Sequence, residues 1–273
     1  MLTFIKFGGS VITDKTTPET PDLPTIRRLA AEVRQALDDA RAAGAPLRLV
    51  IGHGSGSYGH SYARRYGVHL GLPPGGDWMG FALTAAAALR LNRIVVDELL
   101  AAGVPALALQ PSATLRATGG ALAAWDTSLI AVALDHGLVP VVHGDVAFDG
   151  VQGSAIISTE QLLVALAADP ALRPDRIVLV GEAGVFTADP HRVPDAARIP
   201  RIGPENIAAV LAGAGASHGM DVTGGMRSKV ELMWRLVTAH PALTVHLIGP
   251  APGLLRLALL GQAAGEGTLI AAA

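Results

Sequence analysis

Lys6-Phe7-Gly8-Gly9-Ser10 sets a cation one pleat before two glycines, where a short apolar run ends. Glycine lets backbone N–H groups come close to an anion, and the lysine adds charge. An ordinary strand-to-turn junction has the same composition, so this segment decides nothing alone. The run His53-Gly54-Ser55-Gly56-Ser57-Tyr58-Gly59-His60 is less ordinary. It packs poorly but makes a good anion cradle after an apolar run. It is not a Walker A loop, because no Lys-Ser/Thr pair closes it. His60 stands where an imidazole reaches a phosphate oxygen, whereas His53, nearer the apolar run, reads as structural. A metal site of these two histidines lacks an obvious third ligand. Asp221-Val222-Thr223-Gly224-Gly225-Met226-Arg227-Ser228-Lys229 is a further Gly-Gly pair leading into a helix, with Thr223 as cap and Lys229 in the first turns. A capped helix with a surface lysine is the plain alternative. Beside the two earlier loops, a second phosphate-directed lysine is the better reading. Lys15, after Asp14, adds a third cation or is a solvated loop residue. Asp145 and Glu160 either orient lysines or cap backbone groups. Trp78, Met79, Phe81 and Leu83 line an apolar pocket or pack in the core. Together these segments suggest phosphoryl transfer, which needs positioning and charge neutralisation more than covalent chemistry from the protein.

Elements must bring these segments together. Strands are predicted at Thr3–Phe7, Leu47–Ile51, Ala106–Leu109, Val139–His143, Arg176–Val180 and Thr244–Ile248. Helical spacing is predicted over Thr25–Ala43, Phe81–Ala102, Thr127–His136, Glu160–Ala168, Pro204–Ala212 and Met226–His240. Such alternation indicates an α/β fold, a largely parallel sheet with helices on both faces. Ligands in these sheets sit at the carboxyl ends of the strands, where the glycine-rich segments fall. Ala188–Ile202, rich in proline, reads as an exposed excursion, and Ala271–Ala273 as a frayed end.

The chain has 273 residues, 50% of them hydrophobic and 16% charged, enough for a large core and too apolar for a disordered chain. A net charge of -2 argues against a dedicated nucleic-acid binder. The absence of cysteine excludes disulfides, thiolate metal sites and cysteine nucleophiles. Phe81–Leu89 ends at Arg90, too short a run to span a bilayer, and the N-terminal residues lack a signal-peptide layout. The expectation is a cytoplasmic protein without a membrane segment.

In order along nearly the whole chain, these motifs resemble the amino-acid kinase superfamily, and within it the isopentenyl phosphate kinases. Lys6–Ser10 matches the first glycine motif, and Thr13-Asp14-Lys15 the lysine-bearing hairpin. His53–His60 is similar to the HGGG(S/A)FGH loop. Gln110-Pro111-Ser112, Asp126-Thr127-Ser128 and Val139–Asp145 also match, as do Asp221–Met226 and Lys229 in the late nucleotide segment. The resemblance implies a single domain with an open αβα sandwich, an acceptor-binding lobe over about 1–170 and a nucleotide-binding lobe over about 171–273. It implies a homodimer that transfers the γ-phosphoryl of ATP to isopentenyl phosphate with Mg²⁺. Carried over by position, Lys6, Lys15, His60 and Lys229 would be catalytic. Gly8, Gly9, Ser10, Gly56, Glu182 and Gly224 would hold ATP. Gly54, Ser55, Gly59, His60, Thr159 and Glu160 would hold the acceptor, and no residue is assigned to a metal.

This chain departs from the family's pattern in three places. Gly181-Glu182-Ala183-Gly184-Val185-Phe186 stands where relatives often have Thr-Asp-Val-Asp-Gly-Val, leaving the nucleotide preference open. Glu160 stands for a usual Asp that orients two lysines, and Ser55 for a usual Gly. A fosfomycin-type kinase, or a catalytically silent nucleotide-binding or storage protein on this fold, are the competing readings.

Overall fold

The computed structural model describes residues 1–188, 190, 193, 195–214 and 225–273. Its central sheet runs in the order Arg201–Ile202, Thr268–Ile270, Thr244–Ile248, Arg176–Val180, Leu2–Phe7, Arg48–His53, Val139–His143, Ala106–Ala108. From Thr244–Ile248 to Ala106–Ala108 every pairing is parallel. Thr268–Ile270 runs antiparallel to its neighbour Thr244–Ile248. The apolar runs are continuous because both faces of the sheet are covered.

Side-chain alternation splits the molecule into two cores. On the first strand, Leu2 and Phe4 enter one core, while Ile5 and Phe7 enter the other. Helices Thr159–Ala168 and Gly225–Ala239 pack on the Phe4 face through Leu162, Leu163, Leu166, Val230 and Met233. Helices Leu23–Ala42, Trp78–Ala101 and Leu254–Leu259 pack on the Phe7 face. Lys6 shares its face with Phe4, and His53 shares its face with Ile51. These two residues therefore belong to opposite sides of the sheet.

Register brings five strands to a common edge. Phe7 lies opposite His53 and Val180, His53 opposite His143, and Val180 opposite Ile248. The next residue in all five strands is glycine: Gly8, Gly54, Gly144, Gly181 and Gly249. At some of them the space is tight, whereas a Cβ at Gly181 would meet nothing within 4 Å. A Cβ at Gly8 would stand 2.8 Å from the Val180 carbonyl oxygen, and one at Gly249 would stand 3.3 Å from Ala183 Cα.

Most predicted elements agree with the structure to within a few residues, with several differences. Gly56–Arg65, taken as part of a loop, is a helix that begins inside the glycine segment. A smaller four-stranded sheet (Ala121–Ala124, Arg116–Thr118, Asp145–Asp149, Gly153–Ile157) was not foreseen. The carboxylate of Asp149 gathers its turns by accepting N–H groups from Gly119, Gly120, Val151 and Gln152. Beside it, the rings of Phe81 and Phe148 stack at 4.8 Å and Trp78 leans on both. Phe81 is buried, Leu83 half-buried, and Trp78 and Met79 exposed.

The end expected to fray is held, since Ala271 is buried and its N–H donates to Ile202 O. Part of the proline-rich excursion also joins the fold. Val185–Phe186 pairs with Arg198–Ile199, and Arg201–Ile202 forms the sheet's edge. Trp78–Ala101 is long and apolar enough to cross a membrane by length and composition. Here it has the pattern of a core helix. Ala87, Leu91, Val95 and Leu99 are buried against the sheet and Phe81 in a smaller cluster with Val68 and Val146, while Arg90 and Arg93 on the outer side pair with Glu19 and Asp97.

Candidate active site

The first two glycine loops touch each other. A Cβ on Gly9 would stand 2.5 Å from Gly56 N, and one on Gly54 would stand 2.9 Å from Gly9 N. Only glycines on both sides allow this approach. Thr13 fastens the contact: its buried hydroxyl donates to Gly9 O at 2.7 Å and accepts from Ser57 N–H at 3.0 Å. The strand ends contribute too, with Gly54 N–H donating to Phe7 O and Gly8 N–H to Val180 O. The N–H groups of Gly9, Ser10, Ser55 and Gly56 make no hydrogen bond among the described residues. Four amide donors thus stand close together at the sheet edge, suited to anionic oxygens.

Charge is supplied from the Phe4 face. Lys6 Nζ forms an ion pair with Glu160 Oε1, and both side chains are nearly buried. Burial, the largest influence on Glu160, raises its pKa. The charges of Lys6 and Lys229, with the Lys6 hydrogen bond, outweigh this and hold it below the ordinary carboxylate value. Glu160 therefore stays ionised between two lysines carried by different elements. Its place at the start of helix Thr159–Ala168, capped by Ser158 and Gln161, also favours the anion.

Beneath the loops the Phe7 face carries polar groups. His53 and His143 stack with ring centroids 5.6 Å apart. His53 is fully buried, which together with His143 pushes its pKa down to about 3, partly offset by a hydrogen bond to Gly54. The structural reading of His53 agrees with this. His60 is half-buried on helix Gly56–Arg65, its Nδ1 2.6 Å from Gly56 O. Nδ1–H donates there, so Nε2 is left to face an anion, as a donor when the ring is protonated.

The structure brings together most of the residues singled out by sequence. Gly8, Gly9, Ser10, Gly54, Ser55 and Gly56 meet at the two touching loops, with Lys6 and Glu160 alongside. Gly59 sits under Ser55: a Cβ there would stand 2.6 Å from Ser55 Oγ, so Gly59 makes room for the serine that replaces the family's usual glycine. Thr159 is buried, its hydroxyl donating to His53 O at 2.6 Å and its methyl filling the space Gly52 leaves. It is a tie between elements. Asp145 is taken up by Ser112 N–H and Val146 N–H, so Glu160 is the acid beside the lysines. Lys15 is exposed on a turn built by Asp14, and Glu182 is exposed just past Val180. Asp221 to Gly224 lie outside the described residues; Gly225 and Lys229 lie within helix Gly225–Ala239. Sequence reasoning missed Thr13 as a tie and Asn92, whose amide lies 3.0 Å from His53 Nε2. Asn92 gave one signal, a polar residue on the apolar face of a helix.

The sequence profile of the amino acid kinase family matches residues 1–247. The chain belongs to the amino acid kinase family. It is 37% identical to an isopentenyl phosphate kinase of Methanothermobacter thermautotrophicus, over 94% of this chain and 95% of that protein. It is 33% identical to an isopentenyl phosphate kinase of Methanocaldococcus jannaschii, over 85% of this chain and 86% of the other. A crystal structure of an isopentenyl phosphate kinase superposes with a TM-score of 0.81 at 33% identity, covering 99% of this chain and 100% of the other. The open αβα sandwich with its largely parallel sheet agrees with that likeness.

Proposed function

We propose that this chain is an ATP-dependent isopentenyl phosphate kinase, transferring the γ-phosphoryl group of ATP to isopentenyl phosphate to give isopentenyl diphosphate and ADP. The observation that carries this reading is the backbone contact between two glycine loops with paired lysines beside them. It occurs in a chain similar to isopentenyl phosphate kinases over most of its length. Two anions that repel each other must be brought within bonding distance, and abutting cradles do this. In this reading Gly8, Gly9, Ser10, Gly56, Glu182 and Gly224 serve ATP. Gly54, Ser55, Gly59 and His60 serve the acceptor phosphate, with Thr159 and Glu160 supporting them.

An oxygen of the acceptor phosphate attacks the γ-phosphorus, the new P–O bond forms, and the bond to the β-phosphate bridging oxygen breaks. ADP leaves with that electron pair. The attacking oxygen is already ionised near neutral pH, so no general base is needed. Lys6 and Lys229 neutralise the equatorial and bridging oxygens, Glu160 keeps both lysines in place, and Lys15 reaches in from its turn. Mg²⁺ enters as part of the nucleotide substrate. We read the active form as a cytoplasmic homodimer, with an acceptor lobe over about 1–170 and a nucleotide lobe over about 171–273.

The test is Mg²⁺-dependent ADP release from ATP with isopentenyl phosphate, dimethylallyl phosphate, fosfomycin and acetylglutamate in parallel. Efficient turnover confined to the isoprenoid monophosphates is expected. Turnover of fosfomycin or acetylglutamate alone would overturn the acceptor assignment, and ATP binding with no turnover would overturn the kinase reading.

A further inference from the structure

Gly54 and Ser55 belong to the proposed acceptor cradle, and the backbone leading into them is held by several hydrogen bonds. The His53 carbonyl accepts from Thr159 Oγ1 at 2.6 Å and from Gly144 N–H at 3.1 Å. Gly54 N–H donates to Phe7 O at 3.0 Å. The Gly54 carbonyl lies 3.1 Å from Nδ1 of His53, and Nε2 of that ring lies 3.0 Å from Asn92 Nδ2. One arrangement satisfies both contacts in a neutral ring. The Asn92 amide donates to a bare Nε2, and Nδ1–H donates to Gly54 O. The reverse Asn92 orientation would need Nε2–H and leave an unprotonated Nδ1 facing a carbonyl oxygen. Both His53 and Asn92 are buried, so neither can turn to water instead.

A trans peptide is planar, with C=O and N–H on opposite sides. Fixing the Gly54 carbonyl toward His53 therefore fixes Ser55 N–H away from it, and Ser55 N–H has no partner among the described residues. His143 repeats the device one strand over, its Nδ1 3.2 Å from Gly144 O. There Nε2 is buried without a partner among the described residues, so His143 lacks the second contact that Asn92 gives His53.

We infer that Asn92 and His53 are positioning residues for the acceptor: Asn92 holds His53 in its Nδ1–H form, and His53 holds the Gly54–Ser55 peptide so that Ser55 N–H meets the acceptor phosphate. This rests on the acceptor binding at that loop. Neither side chain touches the substrate, and their effect falls on one side of the reaction.

The test compares His53→Asn, His53→Gln and Asn92→Leu with the parent. Asparagine places an amide nitrogen where Nδ1 stood, and glutamine reaches only toward the Nε2 position. In His53→Gln the acceptor KM should rise about tenfold, the scale of one well-aligned hydrogen bond, with ATP KM within about twofold. His53→Asn should recover most of that loss, and Asn92→Leu should raise acceptor KM about threefold. Equal damage in the asparagine and glutamine variants, or parallel rises in both KM values, would overturn the inference. Nitrogen chemical shifts of the histidine rings in the parent supply a readout independent of variant folding and of substrate. A protonated Nδ1 with bare Nε2 at His53 supports the relay, and the opposite tautomer ends it. If the parent prefers another acceptor in the panel, the KM comparison is made on that acceptor. Failure of the substrate reading is thereby separated from failure of the relay.

Discussion

Two lysines beside a single carboxylate give that cluster one net positive charge, in a setting where water is largely replaced by protein. In the proposed reading Glu160 would pair with Lys6 until the phosphates bind, holding the lysine by its ion pair. Replacing Lys6 by Ala removes a donor aimed at developing charge, and kcat should fall about 100- to 1000-fold, while the melting temperature changes little. Single-turnover measurement of ADP formation checks this, and near-normal turnover would remove Lys6 from the chemistry. Glu160→Gln should also lower kcat, because the neutral amide cannot hold two cations, whereas Glu160→Asp keeps the charge and should retain more activity than the amide. His60→Ala should act on the other substrate. Its acceptor KM should rise about tenfold or more while ATP KM stays near the parent value, as expected for one charge-assisted hydrogen bond. A His60→Ala enzyme with an unchanged acceptor KM would place the acceptor phosphate elsewhere.

At the scale of elements, the site is a meeting of strand ends, and it depends on the backbone approach between Gly9 and Gly56. Gly9→Ala would bring a Cβ to 2.5 Å from Gly56 N, a contact that only a shift of one loop can relieve. Both cradles use that contact, so KM for ATP and for the acceptor should rise together. A change in only one KM would show that the loops move independently. The same geometry explains what could be read from the sequence. Buried parallel strands are continuous apolar runs, and five of the six from Thr244–Ile248 to Ala106–Ala108 are followed directly by glycine. The strand–glycine rhythm at Phe7-Gly8, His143-Gly144 and Val180-Gly181 was therefore legible. Helix Gly56–Arg65 was not, because its glycine and serine residues mimic a loop and its buried positions, Tyr58 and Ala63, give a weak period. The four-stranded sheet escaped for a different reason: its strands are only three to five residues long, too short for alternation to declare itself. Asn92 could be flagged as a polar residue on an apolar face, yet its partner lies on a strand 39 positions earlier, and only the fold brings the two together.

For the whole molecule, the polar groups buried under the site set how stability depends on pH. His53 titrates at about 3 in the folded chain and near 6.5 when exposed. Below pH 6.5 the unfolded chain takes up a proton that the folded chain refuses, so stability rises with pH through this window and levels off above it. At pH 5 this one residue accounts for a loss of about 2 kcal/mol relative to pH 7. His246, held below its ordinary value by burial, acts in the same direction. Glu160 acts lower down. Its folded pKa is depressed, so its stabilising contribution is full above its ordinary 4.5 and is lost as pH falls through the folded value. Between pH 6.5 and 4.5 the histidines therefore dominate. Urea unfolding at pH 7, 6 and 5 should show a steep fall for the parent and a shallower one for His53→Asn, which is less stable at pH 7 and loses less on acidification. Parallel lines for the two proteins would mean that His53 takes up its proton without unfolding. The Asn92 amide would then turn its oxygen to the new Nε2–H, the Nδ1–H bond to Gly54 O would be kept, and acceptor KM should change little in mild acid.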